Sequence, residues 1–443
     1  MGIPKLWQIV LQSTQPCSLI EYTITHGIHN QNGSMLKIGI DASIWIVQCE
    51  AIFWRPRHAQ AGENPELRTL LFRLAYLLQC AFIPIFVFDG PLRPGMKRGK
   101  KVSIKARWLE RHFKDMISAF GFNHHDAPGE AEAELAHMNR VGMLDAIITE
   151  DSDTLVFGAK TILRRPSAPK AGKKTKTDPD LYSLYSAEHI HNAEGVRLTE
   201  GGLFLSAVLL GGDYTDGLQG SRGPLTCGSE SYEQLSDFLN VWRGGLRAEL
   251  LSPTISGASK HPALVDKINN DFPNVQVLKY YALPATSWSD GRTPPNENMW
   301  NPPLPDITRI SAFCDRFFHW EQDMRLSRLR KNIWPGIMIQ SLYRLGKPEF
   351  STPGPSLHNV SDGSLANSSI QSIQKYTRSP NGYTVRIQTS LIDEQAIPDG
   401  PGSLSEGCKM NVKIPAILLY RALPLMVNVF HERKPQFPLP DFG

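Results

Sequence analysis

The chain has 443 residues, of which 41% are hydrophobic and 20% are charged. Because this length exceeds that of a typical single domain, we expect a large catalytic unit and at least one smaller module. The composition excludes a mostly disordered or fibrous protein. A formal net charge of +4 permits nucleic-acid binding without requiring it. The six cysteines form no C-x-x-C pair, which argues against a zinc module and a disulfide framework.

The sequence predicts neither a membrane segment nor a secretion signal. The most apolar stretch, residues 75–88, is shorter than a bilayer span and contains Gln79 and Pro84. The start, MGIPKL, lacks an apolar signal-peptide region, and Leu6 stands where an N-myristoylation signal needs Ser or Thr. We therefore expect a soluble protein in a reducing, intracellular compartment.

Residues 1–220 alternate short β-branched runs with helical patterns, which is typical of a parallel sheet covered by helices. The clearest predicted strands are LKIGID, IPIFVFD and LDAIITED. Apolar residues at helical spacing predict helices over residues 66–80 and 105–120. The predicted fold class of residues 1–220 is therefore α/β.

The second half of the chain has a different pattern. Residues 221–345 are predicted to be mainly helical, and residues 346–378, rich in Ser, Pro, Gly and Asn, are typical of a linker. Residues 379–443 are predicted to form a small separate domain, with a strand at 383–388 and a short terminal helix at 415–430.

Seven carboxylates in the first half of the chain are the main functional signal. They are Asp41, Asp89, Glu130, Glu132, Asp151, Asp153 and Asp213. Two of them end predicted strands and two more follow a third, so these four should emerge at one carboxyl edge of a parallel sheet, where open α/β sheets place their sites. Two others begin a predicted helix, and the last follows the apolar run LFLSAVLLGG. All seven can thus converge.

Such a cluster needs cations. Two like charges at about 4 Å repel by roughly 1 kcal/mol in water and by several-fold more in a protein interior. Hard oxygen ligands in this number suit Mg²⁺ or Mn²⁺, and two ions about 4 Å apart can hydrolyse a phosphodiester without a side-chain nucleophile. Taken singly, each acid has an ordinary explanation as a turn residue, a helix cap or a partner of the helix dipole. Only together do they predict a two-metal site.

Six motifs surround these acids in order over residues 1–223: MGIPKLWQIV, IGIDASIWI, FVFDGP, APGEAEAELA, ITEDSDTLVFGA and LLGGDYTDGLQG. Together they resemble the successive motifs of XPG-type structure-specific nucleases, the flap-endonuclease superfamily. The resemblance implies a PIN-like core in which the seven acids form the catalytic metal site, directly or through water, for two Mg²⁺ ions that Mn²⁺ can replace. It also implies that Gly2 lies close to DNA at the active site.

A basic run follows Asp89, and in the resembled family the corresponding segment arches over the active site and contacts phosphate. The predicted DNA-contacting residues of this run are Arg93, Lys97, Arg98, Lys100 and Lys101, with Lys97 and Arg98 foremost. Without this context, the run would be predicted to be a solvated surface loop. A second basic cluster, residues 170–176, is predicted to be a flexible insertion with at most a general attraction for DNA.

After the last acid, the family has a glycine-rich hairpin of the helix-two-turn-helix type. Its backbone amides and a potassium ion bind the phosphates of duplex DNA. Gly217, Gly220 and Gly223 partly match it, so Gly217 and Gly220 are predicted DNA contacts. Ser221 and Arg222 stand where one apolar residue normally separates the last two glycines, which argues against K⁺. Glycines at this spacing also form ordinary turns.

Two features distinguish branches of the family. The interval from Asp89 to Glu130 is too short for the long insertion of the excision-repair branch, and the clamp-binding box of flap endonucleases is not found. The motif APGEAEAELA and the short arch are similar to the eukaryotic Holliday-junction resolvases, which carry a chromodomain after the core. Residues 379–443 are therefore predicted to be chromodomain-like, with a generic small α/β tail as the alternative.

These features favour a nuclear enzyme that acts on branched DNA. The leading hypothesis is a Holliday-junction resolvase that makes paired nicks as a dimer on the four-way junction and is otherwise a monomer. The alternatives are a 5′-flap endonuclease and a junction-binding scaffold without catalysis. Retention of all seven acids argues against the scaffold, because a pure binder gains nothing from carboxylates opposite a polyanion.

Overall fold

The computed structural model describes most of the chain: residues 2–29, 35–53, 63–97, 100–101, 108–166, 178–214, 217, 232–254, 259–270, 272–300, 303–346, 362–378, 380–397, 408–435 and 437. Two predicted DNA contacts, Arg98 and Gly220, lie outside these residues. So do the basic cluster 170–176 and residues 221–223, on which the potassium prediction depends.

Strands and helices alternate through the first half of the chain. The helices are α1 (Leu6–Ile9), α2 (Leu19–His29), α3 (Ala42–Phe53), α4 (Pro65–Leu78), α5 (Trp108–Ala119), α6 (Ala131–Arg140), α7 (Asp153–Val156), α8 (Ala187–Asn192) and α9 (Glu200–Leu210), with a 3₁₀ turn at Val10–Ser13. The strands are β1 (Gln15–Ser18), β2 (Lys37–Asp41), β3 (Ile83–Phe88), β4 (Met96–Lys97), β5 (Lys100–Lys101), β6 (Asn123–Asp126), β7 (Ala146–Ile148), β8 (Thr161–Arg164) and β9 (Leu181–Ser186).

One large sheet has the strand order β1-β9-β8-β7-β2-β3-β6. Its centre is parallel, since β2 pairs with β3 and β7, β3 with β6, and β7 with β8. Strands β9 and β1 add an antiparallel edge. The α/β class is therefore confirmed, and the three strands predicted from LKIGID, IPIFVFD and LDAIITED are the adjacent strands β2, β3 and β7.

Both faces of this sheet are buried. Along β3, Phe86 and Phe88 pack into one hydrophobic cluster, whereas Ile85 and Val87 belong to a second cluster. Side chains alternate between the faces of a strand, so each cluster covers one face. This double burial explains the continuous apolar runs of the parallel strands. It leaves the carboxyl edge as the place where polar residues can gather.

Residues 232–345 form a helical extension. Its helices are α10 (Tyr232–Leu251), α11 (Pro262–Val265), α12 (Val275–Ala282), α13 (Ile307–Phe318), α14 (Gln322–Asn332) and α15 (Trp334–Leu345), with a 3₁₀ turn at Glu297–Met299. Helix α15 packs directly on α4 of the core. A Cβ on Gly336 would lie 3.0 Å from the carbonyl carbon of Leu78, and the Gln340 amide donates a 3.0 Å hydrogen bond to the Leu78 oxygen. The extension and the core thus share one interior.

The C-terminal part differs from the sequence prediction in its boundary. Helix α16 (Asp362–Ser369) and strand β10 (Ile370–Arg378) lie within the predicted linker 346–378. Strand β10 pairs antiparallel with β11 (Asn381–Gln388), which pairs with β12 (Lys409–Pro415). The sequence of β10 mixes polar and apolar residues, so its strand structure depends on the pairing. The small antiparallel sheet agrees with the chromodomain-like part of the predicted fold.

The predicted single terminal helix over 415–430 is wrong. Pro415 ends strand β12, and two helices follow, α18 (Ala416–Ala422) and α19 (Pro424–Arg433). Pro424 lacks a backbone N–H and its ring is tolerated in the first turn of a helix, so the chain starts a new helix at this residue. None of the helices in the described ranges is long and apolar enough to cross a membrane.

Asp393 joins the small sheet domain to the helical extension. It lies in α17 (Ser390–Ala396) and is 1% exposed. Its carboxylate accepts hydrogen bonds of 2.9 and 2.8 Å from the Arg330 guanidinium and 3.2 Å from the Trp334 indole N–H. Two charge-assisted hydrogen bonds in this arrangement fix orientation as well as position. The small domain is therefore docked by a specific polar contact.

Candidate metal centre

The structure brings the seven predicted acids to one edge of the large sheet. Asp41 ends β2, Asp89 follows β3, and Asp151 and Asp153 follow β7. The remaining three come from helix ends: Glu130 is the N-cap of α6, Glu132 lies in its first turn, and Asp213 follows α9. All except Asp89 are buried, with exposed fractions of at most 7%. Burial of this many carboxylates requires compensating charge.

Three of these acids form the centre of the cluster. Carboxylate oxygens of Glu132, Asp151 and Asp213 all lie within 4.8 Å of one another. Oxygens at this separation can share one cation, because Mg²⁺ binds oxygen ligands at about 2.1 Å.

Asp153 adds a further indication of a cation. Its Oδ1 is buried and makes no hydrogen bond to any part of the chain that the structure describes. A buried acceptor without a partner is costly in a folded protein. The oxygen-only donor set and this unsatisfied atom both fit a hard divalent ion such as Mg²⁺ or Mn²⁺.

Lys97 lies among the acids. Its ammonium forms an ion pair with Glu130 and approaches Glu132 Oε1 at 2.9 Å and Asp213 Oδ2 at 3.3 Å. Burial alone would lower the pKa of Lys97, but these carboxylates raise it well above its usual range. Lys97 was predicted to contact DNA phosphate. This DNA contact stays a prediction, and from the end of strand β4 the Lys97 ammonium supplies positive charge to the acids.

Burial and mutual repulsion raise the pKa values of four acids. Loss of solvent and then Glu132 raise the pKa of Asp151 to about 7. Glu130 has a pKa of about 8, for the same two causes, even though Lys97 opposes them. The pKa values of Asp41 and Asp153 are also raised well above their usual range, mainly by burial. The Lys97 ammonium by itself therefore does not balance the charge of the acids.

The N-terminal residues reach this centre, as the sequence predicts. Gly2 has φ +77°, and a Cβ on it would lie 2.6 Å from Asp153 Oδ1. The next amide, that of Ile3, donates a 2.7 Å hydrogen bond to the Ser152 hydroxyl. Only glycine fits this position, both for its backbone angle and for its distance from the acids.

The other predicted contacts lie around the same edge. Arg93 pairs with Asp89 at 2.8 Å, and the second oxygen of Asp89 accepts a 2.9 Å hydrogen bond from the Ala131 amide. Lys100 and Lys101 form strand β5, which pairs with β4 in a short hairpin. Gly217 has φ +64°, and a Cβ on it would lie 2.5 Å from the Leu209 oxygen, so it packs against the end of α9.

Two tyrosines at the centre were not predicted from the sequence. The Tyr214 hydroxyl donates a hydrogen bond to Glu130, and the Tyr281 hydroxyl donates one of 3.3 Å to Asp153 Oδ2. Tyr281 comes from α12 of the helical extension, and a Cβ on Gly212 would lie 2.5 Å from its hydroxyl. Burial and then Asp153 raise the pKa of Tyr281, so it remains a donor. In the run LKYYALP nothing distinguishes Tyr281 from an ordinary core aromatic residue.

Two protein-family models match the part of the chain that contains the acids. The XPG N-terminal domain model matches residues 1–111, and the XPG I-region model matches residues 121–213. These two spans contain all seven acids. Residues 1–111 and 121–213 thus match the two domain models of the XPG family.

Known proteins and solved structures are similar to this chain over different shares of its length. The mouse protein "Flap endonuclease GEN homolog 1" is 29% identical over 234 residues, which cover 48% of this chain and 23% of the mouse protein. The chain thus matches less than a quarter of that relative's length.

The structural likeness extends over nearly the whole chain. A crystal structure of the Holliday junction-resolving enzyme GEN1 with product DNA and Mg²⁺ has a TM-score of 0.71 and 27% identity, and the match covers 98% of this chain and 100% of the other. A structure of the eukaryotic junction-resolving enzyme GEN-1 with potassium has a TM-score of 0.68 and 26% identity, with the same coverage. The likeness therefore includes the helical extension and the small C-terminal sheet.

Proposed function

We propose that this protein is a Mg²⁺-dependent, structure-specific DNA endonuclease that hydrolyses phosphodiester bonds at branch points. The observation that supports this most strongly is the gathering of seven acids, six of them buried, at the carboxyl edge of the sheet. The similar enzyme GEN1 was crystallised with product DNA and Mg²⁺. The two XPG domain models match the spans that contain all seven acids, and this supports the same chemistry for this chain.

Each part of the centre has a proposed role. Glu132, Asp151 and Asp213 would hold a first divalent ion, and Asp41, Asp89, Glu130 and Asp153 complete the site for a second. Bound ions would supply an activated water and stabilise the departing oxygen. The residues of the chain exclude bulk water, position the carboxylates and neutralise charge. When cations and phosphate enter, Lys97 would move from the carboxylates to the phosphate, since an ammonium on a flexible stem can exchange partners.

We propose Holliday junctions as the preferred substrate. The short arch, the helical extension and the small C-terminal sheet agree with this, because the similarity to the junction-resolving enzymes covers all three regions. Two coordinated nicks require two active sites, so the protein would act as a dimer on the junction and be a monomer otherwise. Such an enzyme would act on nuclear DNA.

The small sheet would extend the DNA contact. Lys375 pairs with Thr384 and Thr384 pairs with Lys413, so both lysines lie on one face. Arg386, two residues beyond Thr384, shares this face and is exposed, as are both lysines. A face with three cations suits the phosphate backbone and gives no sequence preference.

A 5′-flap endonuclease is the second candidate, favoured by the match to the mouse flap endonuclease homologue. One assay separates the candidates: purified full chain with Mg²⁺ on labelled four-way junctions, 5′ flaps and plain duplex, with Asp41→Asn as the matched control. We expect symmetrical paired nicks across the four-way junction. Cutting of flaps alone would overturn the resolvase proposal. Binding without any metal-dependent cutting would favour the scaffold.

A further inference from the structure

Four aromatic rings form a continuous row on the surface where α5 packs against α13. The ring centroids of Trp108 and His112 lie 4.5 Å apart, those of His112 and Phe317 lie 4.7 Å apart, and those of Phe317 and Phe313 lie 4.4 Å apart. We call these four residues the aromatic stripe. Trp108 is 53% exposed, and the other three are partly exposed. An accessible row of large apolar side chains is typical of an interaction surface.

Arginines alternate with the phenylalanines of the stripe along α13. Arg309, Phe313, Arg316 and Phe317 follow one another at intervals of four, three and one residues, so all four lie on one side of a helix. Both arginines are exposed, and the guanidinium of Arg316 lies 5.2 Å from the ring centroid of Phe317. Neither arginine forms an ion pair with any residue that the structure describes. This side of α13 therefore offers positive charge next to aromatic rings.

The acids of the two helices limit where a bound anion can lie. Asp315 and Glu110 each pair with a cation, at 2.7 and 3.0 Å. Asp115 is exposed and lies three residues after His112 on α5. Because a carboxylate repels phosphate, a polyanion on the stripe would leave His112 towards α13, where Arg316 lies, and not along α5.

The stripe begins at the same end of the molecule as the metal centre. Strands β3 and β6 are parallel and α5 connects them, so its first residue, Trp108, lies at the carboxyl end of the sheet, as does Asp89. The Asp306 amide donates a 2.8 Å hydrogen bond to the Ala119 oxygen, so α13 begins where α5 ends and runs back along it. The stripe therefore leads from the carboxyl end towards Arg309, away from the acids.

This surface has the chemistry that binds single-stranded nucleic acid. Unpaired bases stack on aromatic rings, whatever their sequence, while nearby cations contact the phosphates. The bases of a duplex are covered by their neighbours in the stack and cannot reach such rings. The alternation of two arginines with the rings thus favours a polyanion with planar groups over a neutral or basic peptide.

We propose that the aromatic stripe binds an unpaired DNA strand that leaves the branch point, with bases against Trp108 and Phe317 and phosphates near Arg316 and Arg309. The proposal rests on the proposed function for the source of this strand, because a branched substrate must lie at the carboxyl end of the sheet. The stripe adds affinity for branches that carry an unpaired strand. It leaves the affinity for a fully paired four-way junction unchanged.

The first test removes the ring or the bases in a binding assay that needs no cutting. Fluorescence anisotropy with EDTA compares labelled oligo(dT) with an abasic oligomer of the same length and charge. The wild-type protein should prefer oligo(dT), and Trp108→Ala should weaken its binding by about 5- to 150-fold, the range for stacking of one base. Trp108→Phe, the matched control, should keep most of the preference. Leu425→Ala, at a residue of α19 that is 80% exposed, should change nothing.

The second test removes a charge. Arg316→Gln should lower the slope of log Kd against log salt concentration by about 0.7, the value for one phosphate contact of a single strand. The preference for oligo(dT) over the abasic oligomer should remain, because the rings are intact. Arg197→Gln, at an exposed arginine that follows α8, is the control and should leave the slope unchanged. Thermal melting checks that each variant folds.

The possible outcomes separate this proposal from the proposed function. Equal affinity of the wild-type protein for oligo(dT) and the abasic oligomer, or unchanged binding by Trp108→Ala, would overturn the proposal. A wild-type protein that cuts no branched DNA but binds oligo(dT) through Trp108 would refute the proposed function and keep the stripe. Cutting of branched DNA together with oligo(dT) binding that does not depend on Trp108 would refute the stripe alone.

Discussion

The α/β core and the helical extension place residues in the metal centre by different means. In the core, each acid lies at or near an end of a strand or a helix, so its position follows from local sequence. Tyr281 of the extension reaches Asp153 across 128 positions of sequence, through the packing of α12 near the acids. The comparison teaches that the positions of the acids follow from the sequence around each of them. The hydrogen bond from Tyr281 to Asp153, in contrast, depends on how the extension packs against the core.

The largest expected effect tests the role of the acids at the strand ends. Asp41→Asn keeps the shape of a residue that is 2% exposed and removes one charge from the cluster. We expect a loss of about 10³-fold in Mg²⁺-dependent cutting, which corresponds to roughly 4 kcal/mol of lost transition-state stabilisation. The measurement is single-turnover cleavage of a labelled junction.

The control for this variant is Asp290→Asn, because Asp290 is a surface acid whose side chain is 80% exposed. It should cut at the wild-type rate. Full activity of Asp41→Asn would show that the strand-end acids are not the metal site.

The next effect tests the docking of the small sheet domain. Asp393→Ala leaves the Arg330 guanidinium and the Trp334 indole without their acceptor. Removal of one partner of a buried pair costs about 3 to 5 kcal/mol, and a value near 3 is expected because Arg330 is partly exposed. Urea denaturation measures the free energy of unfolding.

A contrast with a surface pair makes this prediction sharper. Asp290→Asn removes the charge that pairs with Arg292 and should change the free energy of unfolding by less than about 1 kcal/mol. If the two variants unfold alike, the small domain is not held by Asp393.

A smaller effect tests the link between the extension and the centre. Tyr281→Phe keeps the ring against Phe157 and Phe204 and removes the hydroxyl that orients Asp153. Loss of a residue that orients a metal ligand typically weakens metal affinity about 10- to 100-fold. The Mg²⁺ concentration for half-maximal cutting should rise, while kcat at saturating Mg²⁺ changes less. Tyr22→Phe, on α2, is the control. An equal change of the half-maximal Mg²⁺ concentration in both variants would exclude a role of the Tyr281 hydroxyl in metal binding.

A further prediction concerns the pH dependence of the free energy of unfolding. The pKa values of Asp151 and Glu130 are raised to about 7 and about 8, above those of the unfolded chain. The metal-free folded protein therefore holds more protons, and its stability falls as pH rises from about 4 towards 8. Mg²⁺ binds the ionised form, so the rise in melting temperature caused by Mg²⁺ should grow over the same range. A Mg²⁺ shift independent of pH would contradict this.

The sequence predicts the core and the acids because both follow from local pattern. Asp41 and Asp89 end apolar runs, and parallel strands must present their carboxyl ends on one edge. Strand β10 and Tyr281 were not predicted, because both are defined by partners distant in the sequence. Lys97 was recognised as functional, but its place among the carboxylates depends on the fold of the hairpin β4-β5 and not on the basic run itself.

The metal assignment is tested most directly by anomalous diffraction from crystals of the full chain soaked in Mn²⁺. We predict a peak within about 2.3 Å of oxygens from Glu132, Asp151 and Asp213, with the Lys97 ammonium displaced from these acids. A site that keeps Lys97 in place and shows no anomalous peak at saturating Mn²⁺ would contradict the proposal that these acids form the metal centre.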